Sequence, residues 1–167
     1  PYAGEPDFVP RRLPAADYLD DFSFTPDYRF LLASSRKAHG GQVIDLDSGE
    51  AVTDVPLPGM PHLSSGIYWQ RDGRWVFATP NIRQGLISVL DLESWQLITE
   101  IPTEGPGFFM RSHADSKYAW TDVFFGPNSE AVHLIDKQTL TLAHTLRPMP
   151  GKNAAHVEFS RDGSHVL

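Results

Sequence analysis

Histidines and arginines are the side chains of this sequence best suited to chemistry near neutral pH. The 167 residues contain seven histidines and no cysteine, which excludes disulfides, thiolate metal sites and haem attachment through a C-x-x-C-H motif within this stretch. A histidine can bind a metal ion, or it can accept and donate a proton. No H-E-x-x-H or other compact metal-binding spacing is present, so a conventional zinc site is not expected.

An internal repeat sets the relative positions of these side chains. Aspartates in tight turns recur at intervals of 45, 43 and 47 residues, namely Asp27, Asp72, Asp115 and Asp162. A second series recurs at intervals of 46 and 45 residues, namely Asp45, Asp91 and Asp136. Propeller blades recur about every 40–50 residues, and each unit here reads as four short strands with period-two alternation. The repeat therefore predicts an all-β fold, a β-propeller of four-stranded blades, with about three and a half blades present.

Residues 1–16 differ from the rest of the chain. They are rich in proline and lack alternation, so we predict an irregular linker or the end of a previous blade there, followed by a partial propeller over residues 17–167. The chain starts without a methionine and ends inside an apolar run, which suggests truncation at both ends. Because a single blade cannot bury both of its faces, we expect the full protein to supply further blades.

The innermost strand of each blade lines the central channel of a propeller, and the loop before that strand forms one rim. The repeat register predicts that four side chains cluster at the channel mouth or wall, namely His62, Arg111, His113 and His156. Three other histidines fall on outer strands or in a turn between the second and third strands, namely His133, His144 and His39. For each histidine the alternative to a functional role is a hydrogen-bonded position inside the wall.

Arginines and a glycine-rich segment are the second group of candidates. Arg36, Arg83 and Arg111 fall at or near blade edges or the channel, where guanidinium groups could hold the carboxylates of an anionic ligand. Gly107 allows a close backbone approach, and the pair Phe108 and Phe109 could stack on a flat ligand. The alternative is a turn between blades followed by ordinary core aromatics.

The overall charge and hydropathy exclude two classes of partner. The net charge is −7 and no basic stripe is visible, so no nucleic-acid partner is expected. No apolar run approaches the length of a transmembrane helix, so no membrane partner is expected.

Three segments carry a resemblance to a known family. Residues 56–66 (Pro-Leu-Pro-Gly-Met-Pro-His-Leu-Ser-Ser-Gly), residues 105–122 (beginning Gly-Pro-Gly-Phe-Phe-Met-Arg-Ser-His) and residues 148–163 (beginning Pro-Met-Pro-Gly-Lys-Asn-Ala-Ala-His) resemble the haem d1 domain family. That family comprises the dissimilatory cytochrome nitrite reductases and their cofactor-maturation relatives, and the resemblance extends from about Asp17 to the end of the chain. It implies an eight-bladed propeller with haem d1 in its channel, located in the periplasm.

Within the family the chain most resembles the branch that dehydrogenates dihydro-haem d1 to haem d1, converting a propionate to an acrylate. This resemblance implies that His156 is an axial iron ligand and that His62 is the catalytic proton acceptor. His62 and His113 also match two distal-side histidines that assist nitrite reduction in the reductases. The arginines would bind the carboxylates of the tetrapyrrole.

Two further implications concern parts outside this chain. The missing C-x-x-C-H motif departs from the full-length dehydrogenases, so a c-type haem is expected on another part of the protein. A nitrite reductase or another maturation protein is a candidate partner. The alternatives are the haem d1 domain of a respiratory nitrite reductase, in which the His156 position is not a histidine, and a non-catalytic propeller, either a haem d1 carrier or a protein-interaction ring without cofactor.

Overall fold

Three four-stranded antiparallel sheets form the fold. The computed structural model describes residues 10–37 and 40–167, so His39 lies outside the described residues. The first sheet contains β1 (Asp21–Phe24), β2 (Phe30–Ser34), β3 (Gly41–Asp45) and β4 (Ala51–Val55). The second contains β5 (Ile67–Arg71), β6 (Arg74–Pro80), β7 (Leu86–Asp91) and β8 (Leu97–Pro102). The third contains β9 (Met110–Ser112), β10 (Tyr118–Asp122), β11 (Val132–Asp136) and β12 (Thr141–Leu146).

Each sheet is a blade in which successive strands are neighbours. The strand order within every sheet is the order along the chain, with antiparallel pairing throughout. A fourth blade begins after β12, where Phe159 pairs with Val166 in an isolated bridge. The predicted all-β propeller of four-stranded blades is thus confirmed, whereas the eight-bladed ring stays a prediction.

The repeated aspartates have a local structural role. Asp136 ends β11, and one carboxylate oxygen (Oδ1) accepts hydrogen bonds from the N–H groups of Gln138 and Thr139, both at 2.9 Å. These backbone bonds, with the Lys117 ammonium on the other oxygen, lower the pKa of Asp136 to about 2. Asp45 and Asp91 accept two N–H groups in the same way in their own blades. The recurrence of Asp45, Asp91 and Asp136 therefore reflects the same turn repeated in each blade.

Apolar burial occurs mainly between blades. One cluster joins the first two blades through Leu32, Val43, Phe77 and Leu90 and other side chains. A second cluster joins the second and third blades around Met110, which is fully buried on the innermost strand of the third blade. This arrangement is expected, because each sheet can cover its apolar faces only with its neighbours.

Residues 10–16 form no strand, yet they contact the first blade. The Arg11 guanidinium donates hydrogen bonds to the carbonyls of Leu46 and Asp47, and the Ala16 N–H donates to the Gln42 side chain. The predicted boundary between a linker and the propeller at residue 17 stays a prediction. Within residues 10–37 and 40–167, no helix has the length and apolar character needed to cross a lipid bilayer.

Replacing Met110 by alanine tests the importance of burial between blades. Met110→Ala leaves a cavity between the second and third blades, so the free energy of unfolding of the full-length protein should fall by about 2–5 kcal/mol. Met149→Ala is the matched control, because the Met149 side chain is 62% exposed; its effect should stay within about 0.5 kcal/mol. Urea denaturation measures both, and equal midpoints for the two variants would contradict the packing described here.

Candidate functional site

The leading loops of the blades carry the histidines of the site. We call the segment before an innermost strand a leading loop: residues 56–66 for the second blade, 103–109 for the third and 147–158 for the fourth. Because successive strands are antiparallel, a leading loop lies at the same end of its blade as the loop that follows the second strand. This end of the propeller therefore combines loops from several blades.

Asn81 holds the leading loop of the second blade. It is buried just after β6, and its Nδ2 donates a hydrogen bond to the Pro58 carbonyl at 2.5 Å. Its Oδ1 accepts hydrogen bonds from the N–H groups of Met60, at 3.3 Å, and Arg83, at 2.9 Å. The N–H group of His62 then donates to the Pro80 carbonyl at 2.8 Å. Asn81 was not predicted from the sequence, because its side chain binds backbone groups and belongs to no sequence motif.

The imidazole of His62 is held by the neighbouring blade. Its Nδ1 lies 2.5 Å from the carbonyl oxygen of Phe108, and the two rings have centroids 4.0 Å apart. Because a carbonyl oxygen only accepts hydrogen bonds, Nδ1 carries the hydrogen in the neutral ring. Nε2 of His62 is then the nitrogen with a free lone pair, which is the requirement for a proton acceptor.

His156 lies in a different electrostatic environment. Its ring stacks on Phe109 at 4.3 Å with an angle of 16° between the planes. Nε2 lies 3.0 Å from a carboxylate oxygen of Glu158 and 3.4 Å from the Arg111 guanidinium, and Arg111 also pairs with Glu158 at 3.2 Å. The His156 side chain is 49% exposed, so it is accessible to a ligand.

Four phenylalanines surround the two imidazoles. Phe108 and Phe109 lie between His62 and His156, with their ring centroids 4.8 Å apart. Phe124 and Phe125 contact this pair from the loop between β10 and β11, and each remains about 40% exposed. The sequence predicted stacking by the pair Phe108 and Phe109, and the structure adds Phe124 and Phe125 to an aromatic cluster around it.

Asp122 connects the loops that carry these rings. It ends β10 and is 2% exposed. Its Oδ1 accepts hydrogen bonds from the N–H groups of Phe108, at 2.8 Å, and Phe109, at 3.1 Å, and its Oδ2 faces the N–H of His156 at 3.4 Å. Burial raises the pKa of the Asp122 carboxyl, while these N–H groups and His156 oppose that rise.

His113 does not join this group, which corrects the predicted clustering of four side chains. It follows β9 in the turn before β10, at the opposite end of the innermost strand from Phe109. The three residues of β9 rise about 10 Å. Nδ1 of His113 accepts a hydrogen bond from the Asp115 N–H and Nε2 contacts the Arg161 carbonyl, both at 3.2 Å. His113 instead lines a separate cavity of about 1090 Å³ with Trp69 and Lys137.

The predicted arginines occupy three different settings. Arg111 lies beside His156, as described above. Arg36 follows β2 and binds the carboxylate of Asp20 twice, through its backbone N–H and its Nε, both at 2.7 Å. Arg83 follows Asn81 with an exposed side chain. Arg36 and Arg83 follow second strands, at the end of the blades that carries the leading loops, and Arg111 lies on the innermost strand β9. Contact of these arginines with a ligand stays a prediction.

Gly107 is used for packing between blades. A Cβ atom there would lie 2.9 Å from the Asp122 carbonyl oxygen and 3.2 Å from Cβ of Pro80. Its N–H donates to the Asn81 carbonyl at 3.1 Å. The missing side chain thus lets the leading loop of the third blade pack against the second blade, while contact of Gly107 with a ligand stays a prediction.

The two histidines predicted to lie away from the channel do so. His133 is fully buried on β11, where Nδ1 contacts the Thr145 hydroxyl at 2.9 Å and Nε2 accepts a hydrogen bond from the Glu104 N–H at 3.1 Å. Burial lowers the pKa of His133. His144 lies exposed on the outermost strand, β12.

Fold and site together define a β-propeller domain with two imidazoles, arginines and an aromatic cluster at one end of its blades. The chain belongs to the cytochrome D1 heme domain family, whose model matches residues 1–167.

Two characterised proteins of Pseudomonas aeruginosa are similar to this chain. It is 66% identical over 167 residues to the dihydro-heme d1 dehydrogenase, covering all of this chain and 34% of that protein. It is 28% identical over 158 residues to the protein NirF, covering 87% of this chain and 38% of that protein. The chain therefore spans about a third of the length of these relatives.

A solved structure of a relative aligns with all of this chain. The dihydro-heme d1 dehydrogenase NirN in complex with DHE superposes with a TM-score of 0.95 at 66% sequence identity, covering all of this chain and 36% of that one.

Replacing Asn81 by alanine tests whether its side chain holds the leading loop that carries His62. Asn81→Ala removes the side-chain hydrogen bonds to the Pro58 carbonyl and the Met60 N–H, so stability should fall by about 1–3 kcal/mol. Amide hydrogen exchange in that loop of the full-length protein, measured by mass spectrometry, should accelerate. Asn128→Ala is the control, because Asn128 Nδ2 donates to the Glu104 carbonyl in another loop. Unchanged exchange at residues 58–62 in Asn81→Ala would contradict this role.

Proposed function

We propose that the full-length protein binds dihydro-haem d1 at this end of the propeller and dehydrogenates it to haem d1. The observation that carries this proposal is His62, whose Nδ1 is held by the Phe108 carbonyl so that Nε2 is free to accept a proton. The 66% identity over the whole chain to a protein named dihydro-heme d1 dehydrogenase supports it.

His62 acts as the base in the reaction. Converting a propionate, –CH2–CH2–COO⁻, to an acrylate, –CH=CH–COO⁻, releases two protons and two electrons. Nε2 of His62 takes one proton from a carbon of the side chain, and the Phe108 carbonyl stabilises the resulting imidazolium through Nδ1–H. The second proton leaves to solvent as the two electrons pass to the acceptor. The fixed orientation also keeps the ring from turning its protonated nitrogen toward the substrate.

His156 supplies the axial ligand to the iron of the substrate. Its half-exposed imidazole is the kind of neutral nitrogen ligand that haem iron binds. Glu158 contacts Nε2 in the protein without ligand, so this carboxylate gives up that contact when the nitrogen binds iron. Arg111 then pairs with a carboxylate of the tetrapyrrole, and Arg36 and Arg83 bind further carboxylates.

The aromatic cluster supplies the apolar part of the site. Phe108, Phe109, Phe124 and Phe125 present ring edges and faces that pack against a flat macrocycle and exclude water from the reacting side chain. Exclusion of water strengthens the charge interactions around His62.

The rest of the reaction depends on parts of the protein outside this chain. A c-type haem domain outside this chain would accept the two electrons one at a time, with reoxidation between them, and further blades would complete the pocket wall. The proposed location of the protein is the periplasm, and cell fractionation should find it there. The proposed partner that exchanges the tetrapyrrole is a nitrite reductase or another haem d1 maturation protein.

His62→Gln tests the base. Glutamine can still donate a hydrogen bond to the Phe108 carbonyl but cannot take up a proton, so tetrapyrrole binding should persist while turnover falls by about 100-fold or more. Absorbance spectra of dihydro-haem d1 and haem d1 follow the conversion. His144→Gln is the matched control, because His144 lies exposed on the outermost strand. Retained turnover in His62→Gln would remove His62 from this role.

His156→Ala tests the iron ligand. Loss of the imidazole should abolish the low-spin iron spectrum of the loaded full-length protein, because no nitrogen replaces it on the iron. Electron paramagnetic resonance of the ferric complex measures this, with His144→Ala as the control. A low-spin signal that survives unchanged would exclude His156 as the ligand.

A further inference from the structure

Among the described residues, Asp122 is the one whose side chain contacts the backbone N–H groups of Phe108, Phe109 and His156. One oxygen accepts the N–H groups of Phe108 and Phe109, and the other faces the N–H of His156. These three residues belong to the leading loops of two different blades, and Asp122 itself ends a strand of the third blade.

Through Phe108, the contacts of Asp122 extend to His62. The same Phe108 residue gives its N–H to Asp122 and its carbonyl oxygen to Nδ1 of His62. Phe109, the second residue held by Asp122, stacks its ring on His156. Each imidazole thus contacts the dipeptide Phe108–Phe109, and the Asp122 carboxylate binds both N–H groups of that dipeptide.

The backbone at His156 needs such a contact. Its φ is +61°, in the left-handed region that side chains other than glycine adopt rarely and at a cost of about 1–2 kcal/mol. A residue stays in such a conformation only where its surroundings hold it there. The N–H of His156 points to Asp122, while its side chain has only Phe109, Arg111 and Glu158 around it.

We propose that Asp122 is a positioning residue that sets the placement of His62 relative to His156, and hence of the base relative to the bound tetrapyrrole. This inference rests on the proposed function for its catalytic consequence, but the positioning itself is a property of the protein without ligand. Asp122 does not contact the reacting atoms and is not itself a catalytic residue.

Two substitutions separate the two connections. In Asp122→Asn the amide oxygen can still accept the N–H groups of Phe108 and Phe109, but the amide NH2 then faces the N–H of His156, donor against donor. In Asp122→Ala all three contacts are lost. Asp122→Asn should therefore disturb His156 alone, and Asp122→Ala should disturb both histidines.

Asp136→Asn is a matched control. Asp136 is likewise buried at the end of a strand in the third blade, with one oxygen on two backbone N–H groups and the other on a single cation, Lys117. It should lower stability as Asp122→Asn does, without reaching either histidine.

The first measurement uses the full-length protein without tetrapyrrole. Nitrogen-15 NMR of labelled histidine rings should show the His156 signals displaced in Asp122→Asn, the His62 and His156 signals displaced in Asp122→Ala, and neither displaced in Asp136→Asn. Wild-type ring signals in Asp122→Asn and Asp122→Ala, or equal displacements in Asp136→Asn, would overturn the proposal. If Asp122→Ala does not fold, the comparison of Asp122→Asn with Asp136→Asn decides it.

The second measurement uses dihydro-haem d1. In Asp122→Asn, kcat should fall by about 10–100-fold with KM changed by less than about threefold, and the low-spin iron signal should shift. Asp136→Asn should keep the wild-type kcat and signal. Wild-type protein that neither binds nor converts dihydro-haem d1 would refute the proposed function, and the ring signals without tetrapyrrole would still decide the role of Asp122.

Discussion

Burial between blades is the constraint on which the rest of this structure depends. A four-stranded blade has two apolar faces and can cover them only with its neighbours. The large side chains of the core, such as Phe77 and Met110, accordingly belong to clusters that span two blades. The approach of the second blade also bears on Gly107, where a Cβ atom would lie only 3.2 Å from Cβ of Pro80. The relative placement of the leading loops is therefore set by packing between the blades.

The site exists only because blades meet in this way. His62 belongs to the leading loop of the second blade, Phe108 to that of the third, and His156 to that of the fourth. Buried polar side chains at the ends of second strands complete the placement, because loop N–H and carbonyl groups need partners where water is excluded. Asn81 and Asp122 serve this purpose in successive blades, with an amide where the loop offers both a carbonyl and N–H groups and a carboxylate where it offers N–H groups alone.

The two imidazoles of the site are prepared for different chemistry by their partners. A carbonyl oxygen fixes the hydrogen of His62 on Nδ1, which leaves one defined nitrogen for proton transfer. His156 instead stacks on Phe109, and its Nε2 contacts the carboxylate of Glu158 and the guanidinium of Arg111, which are both partly exposed. Such contacts are weak in water and yield readily to a stronger ligand. Environment, rather than residue type, therefore distinguishes the proposed base from the proposed iron ligand.

The sequence by itself determined the class of fold, the register of the blades and which histidines lie on outer strands. Those features are local or periodic: Asp45, Asp91 and Asp136 each close the same turn, and alternation assigns His133 and His144 to their strands. Tertiary structure alone decided that His113 lies at the other end of β9 from His62 and His156, and that Gly107 serves packing. It also revealed Asn81 and Asp122, whose partners are backbone groups up to 34 residues away. Repeat spacing places a residue along a strand, but contacts across blades depend on how the sheets stack, and no local pattern encodes that.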